Sequence, residues 1–199
     1  MNIFVVDECP IESARMLCDK HIVKMPIESA QMLSTTHRFV DGAARTAFAI
    51  NGRKFTTWGH PDSRLDGFLY RSTMINHPCT VWTRENIENY MWHAEHAMEL
   101  CREYTRRYDR IHGSQNVIEW CLHNVPKNIQ NGTITQWAQA MPTKYQDRYN
   151  SVQAYRNYYI GDKMRFAKWK NTQVPFWWPT EKNLSENRQR VLTTMQDRV

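Results

Sequence analysis

The chain has 199 residues and carries 26 Lys and Arg against 20 Asp and Glu, which gives a net charge of +6. Eight Trp, nine Tyr and seven Phe make up 12% of the residues, and only seven are Gly. This composition excludes low-complexity and collagen-like chains, and no apolar run approaches the roughly 18 residues of a membrane span. The basic excess and the many aromatic rings suit nucleic-acid binding, although an ordinary basic globular protein has the same composition.

The chain has five Cys, an odd number without a C-x-x-C pair, so we do not expect a disulfide framework. The opening residues 1–7 lack the positive region and the small-residue cleavage site of a signal peptide. We therefore expect a cytoplasmic protein with reduced thiols and no membrane association.

Hydrophobic spacing predicts a mainly α protein. Ile3 to Val6 form a short apolar run, which predicts one brief strand or an extended arm. A helix follows from Asp19, its expected N-cap, to about Arg38, and Pro26 must either kink it or begin a new helix. The motif Pro-Ile-Glu-Ser-Ala occurs at residues 10–14 and again at 26–30, which suggests two consecutive helices.

Residues 41–79 are mixed and rich in loop signals, such as Asn51-Gly52. Helical spacing then resumes over Thr80–Tyr108, Ser114–His123 and Asn150–Trp169, with an irregular connection over residues 125–142. We expect a compact single helical domain over residues 1–180 and a polar tail or accessory helix over 181–199.

One face of the first long helix is polar. Its members are spaced three, three, four and three residues apart, which places them on one side of an α-helix. Lys24 and Glu28 form an i, i+4 pair that can hold opposite charges or share a proton. A carboxylate beside an amine and an imidazole can assist attack at a sugar C1′ carbon, whereas the same pattern also occurs on a solvated helix face. The face comprises Cys18, His21, Lys24, Glu28 and Gln31.

This face resembles the first-helix motif of the phage-type pyrimidine-dimer DNA glycosylases, in which Asp-x-His is followed seven residues after the His by a catalytic Glu. Asp19, His21 and Glu28 fit that spacing. The turn Asn76-His77-Pro78 and the helix after it are also similar to that family, and the likeness covers about residues 1–110. It implies a compact, mostly helical fold whose α-amine attacks C1′ and forms a Schiff base, while Glu28 assists sugar opening and β-elimination. It also implies that His21 contacts DNA or the sugar, and it places a phage-encoded protein in the host cytoplasm.

The chain departs from this family at its amino terminus. The family exposes a Thr amine after Met removal, whereas Asn2 stands here, and Ile27 replaces the Arg beside the family's Glu. The nucleophile is therefore either the Met1 α-amine or Lys24, or the chemistry is different.

Basic and aromatic residues interleave over residues 144–170, which suits phosphate contact and base stacking, although many of these rings belong equally well to a core. A second group of candidate DNA contacts lies near the Asn-His-Pro turn, where a helix begins. The residues that we expect to contact nucleic acid are Arg71, Asn76, His77, Lys144, Arg156 and Lys163.

The chain has no Walker A loop, dinucleotide motif, serine-hydrolase motif or H-E-x-x-H motif, and its Cys and His pairs lack finger spacing. We therefore expect no cofactor and no metal. The leading hypothesis is a DNA glycosylase/AP-lyase-like enzyme that acts on a damaged or modified pyrimidine. The alternatives are an enzyme that processes a nucleotide or modified base in the same pocket, and a non-catalytic binder of nucleic acid or of a host protein. The sequence leaves the oligomeric state open.

Overall fold

The computed structural model describes residues 1–180, and the predicted tail or accessory helix at 181–199 lies outside the described residues. The predicted mainly α fold is confirmed, since helices and one small antiparallel sheet make up the regular structure of the described part. In that part no helix is both long and apolar enough to cross a membrane. The elements are α1 (Pro10–Arg15), α2 (Asp19–Val40), β1 (Ala43–Phe48), β2 (Lys54–Gly59), α3 (Ser63–Phe68), α4 (Pro78–Thr83), α5 (Ile87–Tyr108), α6 (Gln115–His123) and α7 (Ser151–Lys163).

Helix α2 runs without interruption through Pro26, so this proline does not begin a new helix and the repeated motif does not mark a second helix start. Pro26 has no N–H to donate to the helical carbonyl four residues earlier, and α2 compensates by packing along α5. The predicted N-cap is also wrong. Cys18 is the N-cap, whereas the Asp19 carboxylate accepts hydrogen bonds from the Arg107 guanidinium and the Lys170 backbone N–H.

The single helix predicted over Thr80–Tyr108 is two helices, α4 and α5. Asn86 separates them because its backbone is extended and its side-chain oxygen accepts the N–H of Asn89, which caps α5. The helix predicted over Asn150–Trp169 ends early, at Lys163. Beyond it the chain turns back, and the Trp169 indole donates a hydrogen bond to the Met16 carbonyl.

Residues 41–79, predicted to be mixed and loop-rich, contain a β-hairpin and helix α3. Strands β1 and β2 pair antiparallel, with Ala43 opposite Gly59 and Phe48 opposite Lys54. The turn contains Asn51-Gly52, and Gly52 takes a positive φ of 78° that favours glycine. The dipeptide alone predicts a loop, and the strands on either side of it are not predicted from the sequence.

The segment Ile3–Val6 is an extended arm, the second of the two predicted conformations, because none of its residues pairs in a sheet. All four side chains are buried, and they share one hydrophobic cluster with residues of α1, α2 and α7. A second cluster joins α2, α5 and α6. The arm therefore lies inside the protein, and its burial brings the amino terminus to the middle of α2.

Candidate active site

Glu28 is the centre of the candidate site. Its side chain points from α2 toward the amino terminus and is only 11% exposed. One carboxylate oxygen, Oε2, accepts the Asn2 backbone N–H at 3.0 Å and lies 3.9 Å from the α-amine nitrogen of Met1. The structure thus brings together Met1 and Glu28, which are 27 positions apart in the chain.

Lys24 approaches the same carboxylate from the opposite side. Its Nζ lies 2.8 Å from Glu28 Oε1, one helical turn away, and its side chain is 64% exposed. Glu28 therefore contacts two amines, one at the partly buried amino terminus and an exposed one on α2. Both nucleophiles that the sequence left open are within reach of the carboxylate.

The arm is held in place by Asn2, a residue that sequence analysis did not identify as functional. Its Nδ2 donates to the Ala140 carbonyl at 2.7 Å, and its Oδ1 accepts the N–H groups of Ile3 and Phe4. Phe4 adopts a positive φ of 58°, a costly conformation for a bulky residue that persists only where the surroundings enforce it. This strained turn aims the first two residues at Glu28.

Tyr155 of α7 completes the attachment of the arm. Its hydroxyl lies 2.9 Å from Asn2 Oδ1 and 2.7 Å from the Ala138 carbonyl oxygen. The ring is fully buried, and burial raises the pKa of Tyr155 well above the usual range, so the hydroxyl keeps its proton. The position of the amino terminus thus depends on α7 as well as α2.

His77 lies at the edge of the site and caps α4, because its Nδ1 accepts the N–H of Cys79. Partial burial lowers the pKa of His77, the nearby α-amine charge lowers it further, and the Glu28 charge opposes both. His77 therefore shares the electrostatic environment of the amine and the carboxylate. Asn76, its neighbour, is exposed to solvent.

The structure places His21 below the arm. It lies two helical turns, about 10.5 Å along the axis, from Glu28. Its ring stacks on Phe4 with centroids 4.2 Å apart, and its Nδ1 makes a short contact with the Tyr159 hydroxyl. Burial, assisted by the charges of Lys163 and Lys24, lowers the pKa of His21 to about 3. A neutral, buried imidazole at this position supports the arm.

The other predicted DNA contacts occupy different surroundings. Lys163 approaches the arm, with its Nζ 2.9 Å from the Tyr158 hydroxyl and 5.8 Å from the Phe4 ring centre. Arg156 is partly buried and holds the arm by donating to the Val6 carbonyl at 2.8 Å. Lys144 is exposed and lies above the Tyr145 ring, whereas Arg71 lines a cavity beside the β-hairpin. Lys163 and Arg156 therefore lie against the arm, whereas Lys144 and Arg71 lie on other parts of the surface.

One group in the described part has donor atoms suited to a metal ion. The ligand atoms of His37, Asp41 and His60 lie within 4.8 Å of one another. Asp41 already accepts backbone N–H groups from Lys127 and Asn128, and the His37 Nε2 bonds the Tyr90 hydroxyl. The Asp41 carboxylate and the His37 Nε2 therefore already have hydrogen-bond partners within the protein.

Chemically, the site offers a buried carboxylate beside two amines. An amine can attack an electrophilic carbon, and the carboxylate can accept and return a proton. The sequence predicts Glu28, Lys24 and Met1 but not Asn2 and Tyr155, because the contact between Asn2 and Tyr155 joins residues 153 positions apart.

Comparison with known families gives one match over this region. Residues 1–115 match the family described as pyrimidine dimer DNA glycosylase. That span contains the arm, α2, the β-hairpin, α4 and α5, and so includes Met1, Lys24, Glu28 and His77. Neither the curated proteins nor the solved structures that were compared give a match.

Proposed function

The chain belongs to the pyrimidine dimer DNA glycosylase family, and we propose that it releases a damaged or modified pyrimidine from DNA by using the Met1 α-amine and Glu28. The observation that carries this proposal is the α-amine nitrogen 3.9 Å from a buried glutamate carboxylate. An extruded nucleotide would present its sugar to this pair. The same activity would place the protein in the cytoplasm with access to DNA, in the host cytoplasm if a phage encodes it.

The α-amine is the better nucleophile of the two. Only the neutral form of an amine attacks carbon, and α-amines as a class lose their proton about two to three pH units below lysine side chains. Lys24 is also largely exposed, and its Nζ is engaged by Glu28 Oε1 at 2.8 Å, whereas the α-amine nitrogen lies 3.9 Å from the carboxylate. We assign Lys24 to charge balance at the carboxylate and to contact with a DNA phosphate.

The reaction proceeds in two stages. The amine lone pair forms a bond to C1′ as the glycosidic C–N bond breaks, the base leaves C1′ with the electron pair and takes a proton from water, and Glu28 accepts a proton from the amine nitrogen. Glu28 returns this proton to O4′ as the C1′–O4′ bond breaks, and the nitrogen lone pair forms the C=N bond of a Schiff base at C1′. In the second stage Glu28 removes a C2′ proton, and the C3′–O bond breaks, which releases the 3′ phosphate by β-elimination.

Borohydride trapping tests this proposal directly, because borohydride reduces the Schiff base to a stable amine. Wild-type protein on duplex DNA with a pyrimidine dimer should give a covalent adduct, and peptide mass spectrometry should place it on residue 1. Glu28→Gln should lose the adduct by about two orders of magnitude. Lys24→Gln should keep it, since Lys24 is not the nucleophile.

Glu12→Gln is the matched control, because Glu12 occupies the same place in the first copy of the Pro-Ile-Glu-Ser-Ala motif and pairs with Arg15 away from the site. This variant should trap as wild type does. An adduct that maps to Lys24 would reassign the nucleophile. The absence of both adduct and strand cleavage on dimer-containing and abasic duplexes would remove the proposal and favour a non-catalytic binder.

A further inference from the structure

The β-hairpin, residues 43–59, presents an unusual surface for a protein of this size. Its tip and strands expose large apolar side chains, with Ile50 at the turn fully exposed, Phe48 68% exposed and Phe55 43% exposed. Apolar side chains at the end of a hairpin contribute nothing to the protein core, so their exposure points to a partner.

The charge on this hairpin identifies the kind of partner. Residues 43–59 contain Arg45, Arg53 and Lys54 and no acidic residue. Among residues 1–180, Arg53 and Lys54 form no ion pair, and Arg45 pairs only with Asp66. Basic side chains that surround an exposed isoleucine match proteins that contact phosphates and insert an apolar residue into the minor groove.

A cavity of about 480 Å³ extends this surface toward the body of the protein. Cross-strand pairing places Ala47 with Phe55 and Arg45 with Thr57 on the hairpin face that lines it. The opposite wall includes Arg71, which forms no ion pair in the described part of the chain. Ser72 fixes this wall, since its Oγ bonds both Thr57 and the Trp58 backbone N–H.

The hairpin is attached firmly to α2. A Cβ on Gly42 would come within 2.1 Å of the Gly59 carbonyl oxygen and 2.4 Å of the Arg38 carbonyl oxygen, so only glycine allows this close approach. Val40, at the end of α2, lies 12 positions beyond Glu28, which is about 18 Å along the helix axis, or roughly five base pairs of duplex. The hairpin is therefore a rigid projection set apart from Glu28.

We propose that the hairpin and the Arg71 segment form a second contact for duplex DNA, which flanks the nucleotide at Glu28. The basic side chains face phosphates, and Ile50 enters the minor groove at the hairpin tip. This inference rests on the proposed action on DNA, and it adds a contact that holds and bends the duplex beside the reacting nucleotide.

Binding to an undamaged duplex, measured by fluorescence anisotropy over a range of salt, tests the contact without turnover. The double variant Ile50→Ser/Arg53→Gln should bind roughly tenfold more weakly, and the slope of log affinity against log salt should fall by about one. Both side chains are exposed, so the variant should fold as wild type does.

Ile111→Ser/Arg110→Gln is the matched control, because it removes the same two side chains from another exposed loop, where Ile111 is 73% exposed. It should change the affinity by less than about twofold. Equal loss in both double variants, no loss in either, or no duplex binding by wild type would each overturn the hairpin contact. The borohydride trap is a separate readout: an adduct from both wild type and the hairpin variant would keep the proposed function even if the hairpin contact fails.

Discussion

At the scale of single residues, the site depends on side chains that hold the arm rather than on those that react. The Asn2 side chain accepts the Ile3 N–H within the arm, and it also bonds the Ala140 carbonyl and the Tyr155 hydroxyl. Its backbone N–H bonds Glu28 directly. An amine at a chain end has little intrinsic order, so this clamp supplies the fixed geometry that the proposed attack by the α-amine would require.

Tyr155→Phe tests the clamp. It removes the hydroxyl that contacts Asn2 Oδ1, the Ala138 carbonyl oxygen and the Ala140 N–H, and it leaves the buried ring in place, so the variant should fold and lose about 1–3 kcal/mol of stability. The α-amine should then sample more positions, and the single-turnover rate of borohydride trapping should fall roughly tenfold. The dissociation constant for duplex DNA should stay unchanged, since Tyr155 is fully buried.

Tyr149→Phe makes the same chemical change on a tyrosine that is 84% exposed, and it should trap at the wild-type rate. Equal trapping rates in Tyr155→Phe and wild type would show that the arm keeps its position without this hydroxyl, and would refute the positioning role.

The residue patterns indicate the residues that are proposed to react more readily than the residues that hold them in place. Glu28 and Lys24 share a helix face that can be read from spacing alone, and the family motif adds Met1. By contrast, the Asn2 clamp needs Tyr155 and Ala140, which come from the other end of the chain. His21 has the spacing of an active-site residue, yet the burial of Phe4 places it beneath the arm.

At the scale of elements, the break between α4 and α5 shapes the site. Helix α4 begins at His77, which lies at the edge of the site, and α5 packs against α1 and α2. Asn86 permits the change of direction by capping α5 and by donating its Nδ2 to the Thr133 carbonyl. A single straight helix over Thr80–Tyr108 could not both begin beside His77 and pack against α1 and α2 as α5 does.

Asn86→Ala should lower the free energy of unfolding by about 1–2 kcal/mol, because it removes the cap and the bond to Thr133. Urea denaturation followed by circular dichroism measures this change. Asn116→Ala is the control, since Asn116 is exposed within α6 and caps no helix among those described, and it should shift stability by less than about 0.5 kcal/mol. Similar losses in both variants would argue against the cap.

Apolar spacing predicted the helices but not the boundary between two adjacent helices, α4 and α5. Apolar spacing continues across residues 80–108 because α4 and α5 both bury one face, so periodicity alone cannot show the break. The β-hairpin was missed for a related reason. Its strands are exposed on both faces, so they lack the alternation that marks a half-buried strand, and only Asn51-Gly52 signals the turn.

At the scale of the whole molecule, four histidines are buried in the two hydrophobic clusters or between them. Burial lowers the pKa of His21, His93 and His96 to about 3 and that of His37 to about 4. Neither ring nitrogen of His96 has a hydrogen-bond partner within the described part, and the ring stacks on Trp92. The folded protein therefore holds these rings in their neutral form.

This arrangement predicts destabilisation in acid, with a definite sign. An unfolded histidine takes up a proton near pH 6.5, whereas the folded ones resist until pH 3 to 4, so protons favour the unfolded chain between those limits. Well inside this window, each buried histidine lowers the free energy of unfolding by about 1.4 kcal/mol for every pH unit of acidification. Four such histidines together lower it by about 5 kcal/mol per pH unit. A domain of ordinary stability, about 5–15 kcal/mol, should therefore unfold within one to three pH units below 6.5.

His96→Leu tests this directly, because it removes one titrating ring that has no hydrogen-bond partner to lose. Urea titrations at several pH values between 7.5 and 5 should show that the variant loses about 2 kcal/mol less stability than wild type over this range, most of it below pH 6.5. His123→Asn, at an exposed position on α6, should leave the wild-type slope unchanged. Parallel slopes for His96→Leu and wild type would mean that His96 does not resist protonation in the folded protein, and that acid sensitivity arises elsewhere.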